Sequence, residues 1–226
     1  MSRESRHAAC GAALSSGRPI LEGMSRPAHY EDSSLRVDKL VVGPFENNVF
    51  VVRCKRTGDA VLVDAANEHE LLLDVSRATG VRRVLTTHGH WDHIQAVTAL
   101  RDAGIEVGIA SDDAAMLPSY DFVIADAEVY RVGDLRLRAI HTPGHTKGST
   151  SFLLEGTPLV FTGDTLFPGG PGNTSTPGAS FDQVLASIDR RLFTLAPDTL
   201  VLPGHGLDTT IGDERPHLQE WVDRGW

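Results

Sequence analysis

Residues 87–93 read THGHWDH, which sets His88, His90, Asp92 and His93 within six consecutive positions. A core has little use for imidazoles at this density, and a solvated face gains nothing from them. Residues two apart on extended chain point to the same side, so His88 and His90 can grip one ion, with His93 and Asp92 displaced along the loop toward a second. A chain carrying this loop must fold so that other segments return to it with complementary groups. Three short motifs are suited to that return: PGHT with His145, TGD with Asp164 and PGHG with His205.

Each of these residues follows an apolar run. RRVLTT leads into His88, DLRLRAIHT into PGHT, LVFTG into Asp164 and TLVLPG into His205. Strand ends are where layered α/β folds build sites, because loops there converge over a rigid scaffold. The rest of the chain fits such layering. LRVDKLVV alternates as a half-buried strand does, and VFVVRC and AVLVDA are short β-branched runs separated by the turn-like KRTGD. HELLLDVSRAT reads as a helix stopped by Gly80, and IQAVTALRDAG as a helix ended by Gly104. EVGIA is a strand, SDDAAML a short helix closed by Pro118, and STSFLLEGTPLVFTGD a hairpin. LFPGGPGNTSTPGAS is loop by composition. SFDQVLASIDRRLF carries a capping box at Ser180 and Gln183 and one apolar face, and PHLQEW is a short final helix. Intermixed strands and helices give an α/β (α+β) class with a layered core.

Residues 1–32, rich in Ser, Arg, Ala and Gly in their first part, read as a disordered tail. Residues 33–226 read as one domain. Met24 stands as an alternative start. The chain has 30 Asp and Glu against 21 Lys and Arg, a net charge of −9, so no basic surplus exists to neutralise nucleic acid or an anionic membrane. No apolar run approaches the roughly 20 residues of a membrane span, and the N-terminus lacks the apolar stretch of a signal peptide. The only cysteines are Cys10 and Cys54; two make no disulfide framework, Cys54 reads as a small core residue, and a cytoplasmic location follows. Nothing in the sequence sets an oligomeric state.

Imidazole and carboxylate without cysteine are the ligands that zinc, iron and manganese share, with zinc the first expectation. His145 and His205 arrive from distant segments, one for each of two ions, and the two oxygens of Asp164 allow it to bridge. Seven protein ligands for two divalent ions leave room for a water, which marks a catalytic site. Ions about 3.5–4 Å apart can hold a hydroxide near neutral pH. His7, His29, His69 and His217 read as ordinary surface or core histidines. His141, just before TPGH, either orients a ligand or has no role.

From about Leu35 to about Leu218 the chain resembles the metallo-β-lactamase fold superfamily, through THGHWDH (87–93), TPGHTKGS (142–149), FTGD (161–164) and LPGHG (202–206). The resemblance implies a four-layered αβ/βα sandwich with its site at one edge between two sheets. It assigns His88, His90 and His145 to the first ion, Asp92, His93 and His205 to the second, and Asp164 to both. Within the superfamily the chain looks most like the short, single-domain glyoxalase II-like (hydroxyacylglutathione hydrolase-like) class. The implied activity is hydrolysis of a small-molecule thioester of the S-lactoyl type, by hydroxide that the metal pair supplies, with Asp92 also orienting the nucleophile or accepting its proton.

The pattern departs from that class in its thiol-recognition parts. Residues 207–226 are too few for the class's C-terminal helical domain, Phe152 replaces the tyrosine seven residues after His145, and Asn173 stands where a basic residue is common. Lys147, Phe167 and Asn173 are the candidate substrate contacts. A persulfide dioxygenase holding one iron with His88, His145 and Asp164 is the alternative, without its usual arginine-bearing stretch here. A lactonase, β-lactamase or nuclease on the same fold is a further one. A non-enzymatic module would be expected to have lost ligands.

Overall fold

The structure is a computed structural model and describes residues 27–225. β1 (Tyr30–Glu31), β2 (Leu35–Val42), β3 (Asn47–Cys54), β4 (Ala60–Val63), β5 (Val81–Leu85), β6 (Glu106–Ala110) and β7 (Phe122–Ile124) form one sheet in that order. It is antiparallel from β1 to β4 and parallel from β4 to β7. A second sheet holds β8 (Val129–Val132), β9 (Leu135–His141), β10 (Thr150–Leu154) and β11 (Leu159–Gly163) side by side. The small hairpin of β12 (Leu166–Phe167) and β13 (Gly170–Pro171) follows β11 in the chain. The second sheet then continues with β14 (Leu200–Pro203), parallel to β11, and β15 (Thr209–Thr210).

Alternation along the strands decides which layer each side chain enters. Phe50, Val52 and Cys54 of β3 and Val61 and Val63 of β4 meet Leu137, Phe152, Phe161 and Leu202 between the sheets. The intervening Val49, Val51 and Leu62 turn outward under α1 (His69–Thr79) and α3 (Val97–Asp102), against Leu72, Val97 and Leu100. On the far side Val160 and Val201 lie under α4 (Phe181–Ser187), whose Val184 and Leu185 join Trp221 of the last helix, Leu218–Arg224. The result is helix, sheet, sheet, helix: the four-layered sandwich. Burying both faces of each central strand explains why runs such as AVLV are apolar throughout.

The structure departs from the sequence reading in four places. Of the stretch 1–32 read as a tail, residues 1–26 lie outside the described residues, but Tyr30–Glu31 pair with Val37 and Arg36 as β1, so the sheet begins before residue 33. A two-residue strand shows no periodicity; the edge of β2 supplies its pairing. β7 and β8, at residues 122–132, carry too few residues each for a pattern. The helix expected over 94–104 is split into Trp91–Ile94 (α2) and α3, because the Gln95 and Ala96 amides bond the carbonyls of Ala66 and Ala65 instead of continuing the helix. The last helix runs on to Arg224. Among the described residues no helix is long and apolar enough to cross a membrane.

Candidate metal centre

The C-terminal ends of β5, β9, β11 and β14 converge at one edge of the sandwich. Thr150 of β10 donates its amide to the Thr87 carbonyl, joining the histidine loop to the second sheet, and Asn47 makes an isolated bridge with His205. Parallel pairing of β11 with β14, Gly163 opposite Pro203, sets Asp164 beside His205. The seven side chains brought together here are His88, His90, Asp92, His93, His145, Asp164 and His205. They fall into ligand trios whose donor atoms lie within 4.8 Å of one another: His88, His90 and His145; Asp92, His93 and His205; and His88, His93 and Asp164.

Asp164 stands between the first two trios. Its Oδ1 is 3.4 Å from His93 Nε2, and its Oδ2 is 3.6 Å from His145 Nε2 and 3.5 Å from His205 Nε2. Asp92 Oδ2 is 3.4 Å from His205 Nε2 and 3.6 Å from His93 Nε2, and accepts a 2.9 Å hydrogen bond from Asn47 Nδ2. Gly204 makes this crowding feasible: a Cβ there would stand 2.3 Å from Asp164 Oδ1 and 2.7 Å from the His93 ring.

Four of the imidazoles are held at Nδ1 from behind. His93 Nδ1 donates to Asp64 Oδ2 at 2.9 Å, His145 Nδ1 to the Asn173 carbonyl at 2.7 Å and His205 Nδ1 to the Phe45 carbonyl at 2.9 Å. Thr87 Oγ1 donates to Asp64 Oδ2, so it accepts from His88 Nδ1, at 3.0 Å. These bonds fix the tautomer that turns the Nε2 lone pair into the site. His88 Nε2, His145 Nε2 and Asp164 Oδ1 are buried without a hydrogen-bond partner. Buried polar atoms without partners are costly, and a cation enclosed by them would satisfy all three. The donor set therefore fits divalent metal ions of the zinc or iron type.

Electrostatics separates the trios. Burial, then the neighbouring imidazoles, pushes His88 well below the ordinary histidine range, and burial with His145 beside it lowers His90. Burial also opposes charge on His93, but Asp164 and Asp64 outweigh it and hold that ring well above the ordinary value. His205 is drawn up in the same way by its bond to Asp92 and by Asp164. Burial would raise Asp92 and Asp164, yet the facing imidazoles keep both carboxyls below the usual range.

Three residues outside the sequence reading support the ligands. Asp64, 1% exposed, sits at the end of β4 with a left-handed φ of 65°, and accepts from Thr87 N, Thr87 Oγ1 and His93 Nδ1. A left-handed non-glycine residue is strained, and such strain persists where surrounding bonds fix it. Asn47 orients Asp92, and Asp113 joins two loops. Asp64 carried the signal that marked Asp164, a carboxylate ending an apolar run, but no motif surrounds it. His141 bonds the Ile124 carbonyl at 3.2 Å and orients no ligand.

Of the expected substrate contacts, exposed Lys147 lines a cleft of about 170 Å³ with His90, His145, Met116 and Pro177. The Phe167 ring lies 6.5 Å from that of His205. Asn173 meets His145 through its carbonyl, and its side chain accepts from the Ser175 amide. Phe45 and Trp91, edge-to-face at 5.1 Å, stand exposed at the mouth. Larger clefts of about 510 and 460 Å³ surround Arg83 and Tyr130, and none of the seven residues lines either.

The family model of the metallo-beta-lactamase superfamily matches residues 42–205. An uncharacterized protein of Aquifex aeolicus is 34% identical over 192 residues, covering 77% of this chain and 91% of its own. The hydroxyacylglutathione hydrolase GloC of Haemophilus influenzae is 30% identical over 179 residues, 70% of this chain and 84% of that one. Among solved structures, TTHA1623 in a di-iron-bound form superposes with a TM-score of 0.69 and 30% identity, over 78% of this chain and 96% of that one.

Proposed function

The chain belongs to the metallo-beta-lactamase superfamily, whose members are generally hydrolytic metalloenzymes, and on that premise we propose that it is a thioesterase of the glyoxalase II-like type, cleaving an S-acyl thiol of small size. The observation that carries this reading is the ligand constellation itself, which is complete, partly orphaned of hydrogen bonds and open to one cleft. His88, His90 and His145 would hold one divalent ion, Asp92, His93 and His205 a second, with Asp164 shared. Zinc is the first choice, with iron or manganese as alternatives. Bound ions would lower the pKa of a water and polarise the thioester carbonyl.

The chain's own residues supply orientation and proton handling. Asp92 is kept ionised by His205, His93 and Asn47, which suits it to orient the attacking water by accepting its hydrogen bond, while its lowered pKa makes it a weak acceptor of the proton itself. Asp64 and the Phe45 and Asn173 carbonyls stop the ligand rings from turning. Lys147, beside His90 and His145 in the cleft, is placed for an anionic group of the substrate, with Met116 and Pro177 as apolar walls. Phe167 stands beside the second trio, its ring 6.5 Å from that of His205, as an apolar contact for the substrate there. No basic cluster lines this cleft, so the thiol is recognised through few charges. The partner is a small molecule rather than nucleic acid or membrane, and the location is cytoplasmic.

The test is metal analysis of the purified protein together with an assay of S-D-lactoylglutathione and of lactoyl esters of other thiols, run beside oxygen uptake with a persulfide. Two ions per chain with thioester turnover is the expected result. One iron per chain with oxygen consumption would move the protein to the dioxygenase reading.

A further inference from the structure

Asp113 belongs to neither ligand trio, yet it lies against the first. It sits in the 3-10 turn Ser111–Met116 after β6, is 1% exposed, and lines the same cleft as His90 and His145. Its Oδ2 accepts from the Gly89 amide at 2.9 Å and from Thr146 Oγ1 at 2.6 Å, and its Oδ1 accepts from the Gly148 amide at 2.8 Å. Gly89 separates His88 from His90, and Thr146 follows His145. A single carboxylate thus ties together the two loops that carry the whole first trio, loops 55 residues apart by the positions of His90 and His145. Both glycines admit this approach: a Cβ on Gly148 would stand 2.6 Å from the Asp113 carboxyl carbon, and one on Gly89 would stand 3.1 Å from its carbonyl oxygen.

We propose that Asp113 is a positioning residue for the ion held by His88, His90 and His145, setting both the spacing of the two loops and the local negative charge. This rests on the two-ion reading above. The first trio holds no carboxylate, whereas the second contains Asp92 and is backed by Asp64. Asp164 is shared between the two trios, and Asp113 adds a further acid, at one remove, on the side of the first trio alone. All three of its hydrogen-bond partners are uncharged donors, and among the described residues it forms no ion pair, so it faces the cleft it shares with His90 and His145 as an acid without a direct counter-ion. A carboxylate is also required by hydrogen-bond count. Asparagine in either amide orientation would set its NH₂ against the Gly148 amide or against the Gly89 amide and Thr146 hydroxyl, leaving at least one buried donor unmet.

The experiment compares wild type, Asp113→Asn, Asp92→Asn and the double variant, each stripped by a chelator and titrated with Zn²⁺ against a chromophoric competitor. The Asp113→Asn protein is expected to bind its first-trio ion about 10- to 100-fold more weakly, the range for outer residues of metal sites, with the other ion within about twofold of wild type. The double variant is then expected to retain no tightly bound ion where Asp92→Asn alone retains one. Thermal unfolding of the stripped proteins separates positioning from general loss of structure. If Asp113→Asn does not fold, Thr146→Val, which removes one of the three bonds, carries the test, with weaker binding of the same ion expected. Two ions at wild-type affinity in whichever variant folds would overturn the inference. Equal weakening of both ions would also overturn it. Fewer than two ions in wild type would instead overturn the two-ion reading on which it rests.

Discussion

The two ligand trios are built from the same loop but by different physics. The first, His88, His90 and His145, is all imidazole, with two of its rings pushed toward the neutral form by burial. The second, Asp92, His93 and His205, includes a carboxylate and is backed by another through the bond from His93 to Asp64. His88 is 1% exposed, whereas the His205 side chain is 25% exposed at the mouth. One half of the centre thus includes two rings biased toward the neutral, ligating form, and the other presents charge that draws a cation but also favours competing protons. Six adjacent residues of one loop serve both halves: the chain passes from the extended turn of His88 and His90 into the short helix α2, which carries Asp92 and His93, and the Gln95 and Ala96 amides tie the end of that helix to the β4 end.

The largest expected effect removes what the halves share. Asp164→Asn should leave fewer than two ions per chain and lower hydrolysis by about 1,000-fold, since it strips charge from between both trios. Elemental analysis with steady-state kinetics checks it, and a variant with two ions and full turnover would contradict the bridging placement. Next, Asp64→Asn should act mainly on the second half, because Asp64 meets His93 directly and His88 only through Thr87. Its loss of the His93 and Thr87 bonds should weaken the second-trio ion by about 10- to 100-fold and the first-trio ion less, read by competitive metal titration.

A smaller effect concerns protons. His93 and His205 are raised above the ordinary histidine value, so in the metal-free fold they hold protons to higher pH than a free imidazole and must release them when an ion binds. His88 and His90 are lowered and give up their protons at lower pH than a free imidazole. Metal uptake by the second trio should therefore release more protons at pH 7 than uptake by the first, and its affinity should fall more steeply as the pH drops. A dye-monitored titration in weak buffer with Asp92→Asn, which isolates the first trio, measures the difference. The smallest effect belongs to the mouth. Trp91, 58% exposed between ligands His90 and Asp92, touches Phe45 only edge-on. Trp91→Ala should cost about 1 kcal/mol or less in denaturant unfolding and leave metal content unchanged.

The centre was more legible in the sequence than its supports were. THGHWDH, PGHT, TGD and PGHG announce themselves because ligand chemistry restricts residue type and loops restrict spacing. The cap of α4 was readable for a similar reason, with Ser180 Oγ accepting from the Gln183 amide. Asp64, Asn47 and Asp113 were not readable as partners of the site, since each is a lone polar residue whose role depends on what packs against it. β1, β7 and β8 escaped because strands of two to four residues hold no period. Lys147 reaches the cleft, but nothing local distinguished it from a solvated lysine.

What the sequence determined by itself was the inventory: alternating apolar runs for two sheets, helical faces to cover them, and histidines and aspartates at the strand ends. Those follow from short-range rules of pleat, helical period and ligand chemistry. The grouping of the histidines and the shared place of Asp164 were expected through a family resemblance; the tertiary structure supplies their distances, and it alone decided that Asp64 and Asp113 lie behind them. Such pairings are set by strand order and register across the sheets, where residues more than 100 positions apart, such as His93 and His205, come to 3.1 Å. No local pattern encodes a distance of that kind; the packing of two sheets face to face imposes it.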